Sequence, residues 1–323
     1  MRTELESREP SWAESFEHEA FLYAGIDRFL EGTVPFLREG LERGEPALVA
    51  VPGVRLRALE SELRTDVTSP TEITYIDMED IGRNPARIIP AWRDFLAEHG
   101  DGATRVRGIG EPIWAGRSAA EIAECQRHES LLNVAFAGGG GWRLLCPYDT
   151  VGLPEDVITE ARCTHPWISD PSGRMSSAEC RHLDAMAAPF DAPLPPPPVD
   201  AAQLVFALDD VPSVRHLVSV AGKAARFADD AVDDLVLAAH EIATNSIRYA
   251  GGTGIVRVWV QDDVLVCEIA DRGRIVDPLA GRERPTNERP GGRGMWMANQ
   301  LCDLVQVRTT AEGNLVRLNM RRR

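Results

Sequence analysis

Apolar and polar positions recur along this chain with two different periods, and the segments that carry them predict most of its secondary structure. After FEHEAFLY (residues 16 to 23), apolar residues return at helical spacing through GIDRFLEGTVPFLREGLERG, and Gly44 supplies a stop. PALVAVP is a short continuous apolar run with β-branched residues, which predicts a buried strand, and the helix-like VRLRALESELR follows it. Strand candidates EITYID, TRVRGIG and GWRLLCPYD then alternate with helical patterns in ARIIPAWRDFLAEHG, SAAEIAECQRHESLLNVAFAG and PEDVITEARC. Strand and helix in alternation predict an α/β fold with a mostly parallel sheet covered on both faces.

Between Met186 and Val199 the segment MAAPFDAPLPPPPV contains four consecutive prolines, which lack backbone donors and favour extended geometry. It predicts a semi-rigid spacer and divides the chain into residues 1–185, a linker at 186–200 and a second domain at 201–323. There QLVFALD predicts a strand, followed by a helix from about Pro212 to Phe227 and a longer one from about Asp230 to Tyr249, closed by Gly251 and Gly252. TGIVRVWVQ and DVLVCEIAD pair around Asp262 and Asp263, and LVQVRTT and LVRLNMR pair around Glu312 to Asn314. This order predicts a two-layer α/β sandwich, with one helical face over a mixed sheet.

Composition narrows the function classes. A 44% hydrophobic fraction with 26% charged residues suits a folded globular protein. The formal net charge of −15 argues against direct nucleic-acid binding or an anionic membrane surface, where Lys and Arg must neutralise phosphates. MRTELESREP lacks the layout of a secretory signal and no apolar run reaches the length of a membrane span, so a cytoplasmic protein is expected. Six scattered cysteines without a C-x-x-C pair suit reduced thiols. Cys163 with His165 and Cys180 with His182 offer four possible zinc ligands, but structural sites space paired ligands differently, which argues against zinc there.

Three pieces of the second domain carry candidate chemistry. In HEIATNSIRYA, Glu241 and Asn245 stack on one helical face with Arg248 three residues further on. An amide oxygen beside a carboxylate suits hydrated Mg²⁺, although a polar stripe on a surface helix has the same spacing. In CEIADRGR, Asp271 leaves an apolar strand two residues before Gly273, where it can accept from an adenine amine and the glycine lets the base approach. An ordinary turn reads the same way. In RPGGRGMWMANQLCD, a glycine-rich turn with Gly292, Arg293 and Gly294 opens a helix at about Met295, an arrangement that cradles phosphates or serves as a flexible loop.

In this order and spacing the three pieces resemble the Bergerat-fold (GHKL) ATPases, shared by gyrase, certain chaperones, histidine kinases and anti-sigma-factor serine/threonine kinases, over roughly residues 200 to 323. The resemblance implies bound ATP with Mg²⁺ on Asn245, adenine on Asp271 with Gly273, phosphate-lid contacts from Gly292, Arg293 and Gly294, Arg248 among the cofactor-binding residues, and Glu241 as the catalytic base. The short domain is most similar to the anti-sigma kinase branch. That implies phosphorylation of an antagonist protein of the STAS type, contact with a sigma factor, and a possible homodimer. Two positions depart from the family pattern: Ile275, preceded by Arg274, replaces a glycine, and Asn314 follows Gly313 where threonine is usual. The lid, Ile275 to Gly291, is expected to be mobile without nucleotide.

The first half resembles the sensory (MEDS) domain first described in methanogens and in a dichloromethane-responsive regulator of methylotrophs, over roughly residues 14 to 170. The resemblance rests on FEHEAFLYAG, GLERGEPALVAV, RGIGEPIW, HESLLN and LCPYD, and its recurring positions are His18, Tyr23, Gly44, Glu45, Arg107, Glu111, Glu129, Asn133, Tyr148 and Asp149. Arg107 and Glu111 flank a glycine strand exit, where α/β sheets bind small molecules. With His18, Tyr148 and Asp149 they form the expected signal pocket. Other readings stay open: a catalytically inactive partner-binding switch, a histidine kinase, for which neither His216 nor His240 is placed as an acceptor, and a metal or haem sensor in the first domain.

Overall fold

The segment FEHEAFLY, to which the apolar pattern assigns no element, is strand β1 (Phe16–Tyr23) and runs inside the first sheet. The computed structural model describes residues 16–64, 73–100, 104–170, 173–186, 192–285 and 292–322. Contacts divide the chain into two compact units, Met1–Asp80 with Ala91–Met186 and Ile81–Pro90 with Ala187–Arg323.

The first unit is built on β1, β2 (Ala47–Val51), β3 (Ile73–Asp77), β4 (Val106–Gly110), β5 (Trp142–Asp149), β6 (Trp167–Asp170) and β7 (Gly173–Ser176). They form a seven-stranded sheet in the order β3-β2-β4-β5-β1-β6-β7, parallel except where β7 turns back on β6. The helices between them are α1 (Gly25–Glu42), α2 (Gly53–Leu63), α3 (Met78–Ile81), α4 (Ile88–His99), α5 (Ala119–Ala135) and α6 (Glu155–Thr164). The start of α5 is written in its sequence: Ser118 and Glu121 form a capping box, with the Ser118 backbone N–H donating to Glu121 Oε2 at 2.9 Å.

Alternation along β1 sorts its polar residues. His18, Ala20 and Leu22 share one face of the sheet, in register with Leu144, Cys146 and Tyr148 of β5. Phe21 and Tyr23 face the other way, into a core with Phe29, Leu37, Val49 and Leu145. The near end of the sheet is closed by Trp142, whose ring lies 4.7 Å from Phe16, 4.8 Å from Phe136 and 5.5 Å from Trp92 between centroids.

The second unit contains β8 (Ala202–Phe206), β9 (Gly254–Gln261), β10 (Val264–Asp271), β11 (Leu304–Thr310) and β12 (Gly313–Arg321), in the order β11-β12-β10-β9-β8. The expected mixed sheet is instead antiparallel at every pairing. Two helices, α7 (Val211–Ala224) and α8 (Asp229–Tyr249), lie between β8 and β9, and an even number of helical passes returns the chain antiparallel to the strand it left. These helices and α9 (Arg293–Leu301) cover one face through Val218, Leu235, Ile242, Ala298, Leu265, Cys267, Ile269, Val316 and Leu318.

The opposite face carries Glu268, held by Arg317 at 2.6 Å and Arg257 at 3.1 Å. The described part of the proline linker lies along it, since Arg308 donates to the carbonyl of Ala192 at 3.0 Å and Arg317 to that of Pro195 at 2.7 Å. A cavity of about 730 Å³ opens between Pro193, Leu194 and the sheet residues Ile255, Ala270 and Leu315. No helix among the described residues is long and apolar enough to cross a membrane.

Candidate functional site

Asp271 ends β10 opposite Asn314 of β12 and Gly254 of β9. Its carboxylate accepts three hydrogen bonds: from Ser246 Oγ at 2.7 Å, from the Gly273 backbone N–H at 2.8 Å and from Asn314 Nδ2 at 3.1 Å. A carboxylate offers about four acceptor positions, so a position remains for a donor such as an exocyclic amine. Gly273 cannot be larger, because a Cβ there would lie 2.7 Å from Ala250 Cβ and 2.9 Å from Asn314 Nδ2. Gly313 is equally constrained: its φ is +139°, and a Cβ there would lie only 1.8 Å from the Asp271 carbonyl oxygen.

Asn314 fills the position of the family threonine in both directions. While Nδ2 holds Asp271, Oδ1 accepts from the Ile275 backbone N–H at 2.9 Å and from Thr309 Oγ1 at 2.9 Å. The same amide thus ties Asp271 to Ile275, which packs against the helical core. Asn314→Leu should weaken ATP binding about tenfold or more, given roughly 1–3 kcal/mol for buried groups left unpaired. Asn314→Thr, which keeps a donor, should cost less, and titration calorimetry of the two variants compares them.

Glu241 and Asn245 converge on the start of α9. A Cβ at Gly294 would lie 2.9 Å from Asn245 Nδ2 and 3.0 Å from Glu241 Oε2, so both side chains reach the first turn of α9. Gly292, at φ +78°, is the left-handed N-cap of that helix. The N–H groups of a helix's first turn and the helix dipole together favour an anion. Arg293 is exposed in this turn and Arg248 is exposed on the last turn of α8. Of the lid, residues 286–291 lie outside the described residues. The described part is anchored at Ile275 and at Gly281, whose carbonyl accepts from Asn299 Nδ2 at 2.9 Å.

The expected signal pocket separates into three groups in the structure. Arg107 is fully buried within β4, bonded to Glu45, to Glu39 at 2.9 Å and to the Phe36 carbonyl at 2.6 Å, and it does not meet Glu111. The register explains this: Arg107 sits opposite Ala47, at the amino-terminal end of β2, whereas Glu111 follows the carboxyl end of β4. Glu111 accepts from Tyr23 Oη at 2.8 Å and pairs with Arg55 at 3.2 Å, and Arg55 reaches Asp149 at 3.4 Å. His18 lies on the other face of β1, with Glu129, Asn133, Cys146 and His165, and Tyr148 contacts His165 edge-on at 5.6 Å.

Sequence reasoning missed Arg55 and His165 as members of these groups. Nothing in helical or strand periodicity marks Arg55, since it stands in the first turn of α2 among other arginines. The two Cys-x-His pairs do not assemble as four ligands; among the described residues only His165 joins a cluster able to hold a metal, with partners from other elements.

Burial pushes the Glu111 carboxyl up to about 8, with Arg55 and Tyr23 opposing the shift and Asp149 adding to it. Between its ordinary value of 4.5 and about 8 the folded chain keeps a proton that the unfolded chain releases, so this group's contribution to stability falls as pH rises through that window. Glu111→Gln should flatten that slope. Denaturant midpoints of both proteins at the two ends of the window measure it.

Family comparisons agree with this two-part geometry. Residues 17–166 match the MEDS family, the methanogen/methylotroph, DcmR sensory domain, and residues 204–320 match the histidine kinase-like ATPase domain. The second unit thus has the histidine kinase-like ATPase class of fold. The chain joins a MEDS sensory domain to a histidine kinase-like ATPase domain of the Bergerat type. A solved structure, that of the RsbU and RsbW domains of Rv1364c from Mycobacterium tuberculosis, is 18% identical over 38% of this chain and 32% of its own length, with a TM-score of 0.29. The match therefore spans about a third of that chain. No curated protein matches the sequence.

Proposed function

We propose that the chain is a signal-responsive protein kinase of the anti-sigma-factor type, which transfers the γ-phosphoryl group of ATP to a Ser or Thr hydroxyl of an antagonist protein. The observation that carries this reading is the convergence of Glu241 and Asn245 on the glycine start of α9, where both side-chain ends lie about 3 Å from where a Gly294 Cβ would stand. A module that only bound a partner would have no need to press a carboxylate and an amide against a phosphate-binding helix start.

In this reading Asp271 accepts from the adenine amine while Ser246, Gly273 and Asn314 hold its carboxylate still. The α9 amides and Arg293 bind phosphate oxygens. Asn245 is placed to hold Mg²⁺, an ion that neutralises phosphate charge when bound. Glu241 orients the attacking hydroxyl and takes its proton. Such transfer depends mostly on position and charge neutralisation. The Tyr23, Arg55, Glu111 and Asp149 group, beyond the carboxyl ends of β1, β4 and β5, is the place where a small polar signal would bind. A sigma factor, and a second copy of the chain, are further partners this reading entertains.

The test is transfer of labelled γ-phosphate to candidate antagonist proteins of the STAS type. Glu241→Ala should bind Mg-ATP with wild-type affinity and lose transfer by roughly 10²-fold or more, as expected when a positioned base is removed. Transfer undiminished in Glu241→Ala would remove that residue from the chemistry. Full ATP binding with no phosphorylated partner would instead support a nucleotide-gated binding switch.

A further inference from the structure

Four side chains from four different elements meet in the interior of the first unit. They are His18 of β1, Glu129 of α5, Cys146 of β5 and His165, which caps α6. All are at most 1% exposed, and one ligand atom from each lies within 4.8 Å of every other. Glu129 Oε2 is 3.1 Å from His18 Nε2 and 3.2 Å from His165 Nε2, and Cys146 Sγ is 3.4 Å from His18 Nε2. Four ligands arranged tetrahedrally around an ion at zinc-like bond lengths stand about 3.3–3.6 Å from one another, close to the three separations just given, and all six lie within 4.8 Å.

Hydrogen bonding fixes what these atoms present. Asn133 Nδ2 donates to the Thr164 carbonyl at 2.8 Å, which turns Asn133 Oδ1 towards His18 Nδ1 at 3.2 Å. His165 Nδ1 stands 2.8 Å from the Ala161 carbonyl. Both partners are acceptors, so each ring carries its proton on Nδ1 and turns a bare Nε2 lone pair towards the Glu129 carboxylate. Among the described residues, His165 Nε2 and Glu129 Oε1 have no hydrogen-bond partner. Lone pairs facing each other in a dry interior require a cation between them.

Protons alone meet this requirement poorly. One proton on His165 would leave His18 Nε2 with only the weak Cys146 S–H donor at 3.4 Å, one on His18 would leave His165 Nε2 facing an oxygen, and two would place two positive rings at a centroid distance of 4.0 Å in a buried site. A single divalent ion satisfies all four groups. With Glu129 and the Cys146 thiolate each carrying one negative charge, the complex is neutral overall, which suits full burial.

We propose that His18, Glu129, Cys146 and His165 form a tetrahedral site for a divalent transition ion of the zinc class, inside the sensory half of the chain. Asn133 and the Ala161 carbonyl are its positioning groups, as outer partners of metal-bound histidines usually are. Loading releases the Cys146 thiol proton to solvent and forms four bonds to the ion, with no change of oxidation state. The site does not depend on how the ATPase half works.

The experiment uses the full chain without a polyhistidine tag, stripped with a chelator, reloaded with zinc or cobalt(II) and freed of loose ion by gel filtration. One zinc per chain is expected, together with a cobalt–thiolate charge-transfer band and the intense visible bands of a tetrahedral site. Cys146→Ser should lose the thiolate band, His165→Gln should lose retained zinc, and Asn133→Ala should weaken zinc binding roughly 10- to 100-fold. Circular dichroism checks that each variant is folded, and where one is not, the cobalt spectrum of the wild type decides alone. Failure of the wild type to retain an ion, absence of the thiolate band, or retention unchanged in folded Cys146→Ser and His165→Gln would each overturn the proposal. The first of these would leave a buried histidine–glutamate cluster holding protons.

Discussion

Asp271→Asn is expected to abolish ATP binding while leaving the ATPase unit folded. The substitution keeps the side chain's size, and its remaining oxygen still accepts from Gly273 and Asn314. The new amide nitrogen takes the place of the oxygen beside Ser246, whose hydroxyl is free to donate instead to the Ile242 carbonyl, 3.1 Å away. What disappears is the negative charge and the acceptor that an adenine amine would use. At ATP about a hundredfold above its Kd, the wild type should gain about 2.7 kcal/mol of apparent stability. The variant should gain none. Thermal melts with and without Mg-ATP measure this. A stabilisation by ATP that survives in Asp271→Asn would remove the carboxylate from the nucleotide site, whereas a lower melting point without nucleotide would mean that its role is structural.

The largest expected effect on folding lies in the other unit. Trp142 is fully buried, and its ring packs between Phe16, Phe136 and Trp92. Trp142→Ala removes the largest side chain at the start of β5 and leaves a cavity bounded by three aromatic rings, which cannot collapse without moving both the sheet and α5. The expected loss is about 3–5 kcal/mol. That is a large share of the roughly 5–15 kcal/mol that holds a domain together. Denaturant unfolding followed by circular dichroism should show an earlier transition for the first unit and an unchanged one for the ATPase unit. A loss below about 1.5 kcal/mol would mean that neighbouring rings repack into the space.

The ATPase half was legible to an unusual depth because its chemistry is local. Glu241 and Asn245 share a helical face through their spacing, and Asp271 with Gly273, like Gly292 with Gly294, acts within one turn of chain. Their types and intervals therefore carry the signal. The departures could be named from the sequence but not interpreted there. Asn314 serves as a replacement because β12 lies beside β10 in register, bringing its amide to Asp271 and Ile275 together.

The sensory half was legible in its elements and less so in its site. Apolar runs and helical periods predict the alternation of strands and helices, since each segment must bury a face whatever its partner. β1 is the exception. His18 and Glu19 break its apolar run, and both are tolerated only because neighbours far away in sequence pair with them, Glu129 for one and Arg143 and Arg174 for the other. Arg107 and Glu111 are four residues apart in the chain, yet they belong to different clusters at different ends of their strands.

The sequence by itself determined the two-part organisation and the class of each half, because helical and strand periods and turn glycines are properties of neighbouring residues. Only the tertiary structure decided that the second sheet is antiparallel throughout, that the expected signal residues divide among three clusters, and that His18, Glu129, Cys146 and His165 converge. Those outcomes depend on strand order and register, which arise from packing between segments that are not neighbours in the chain and leave no mark on the local pattern of either one.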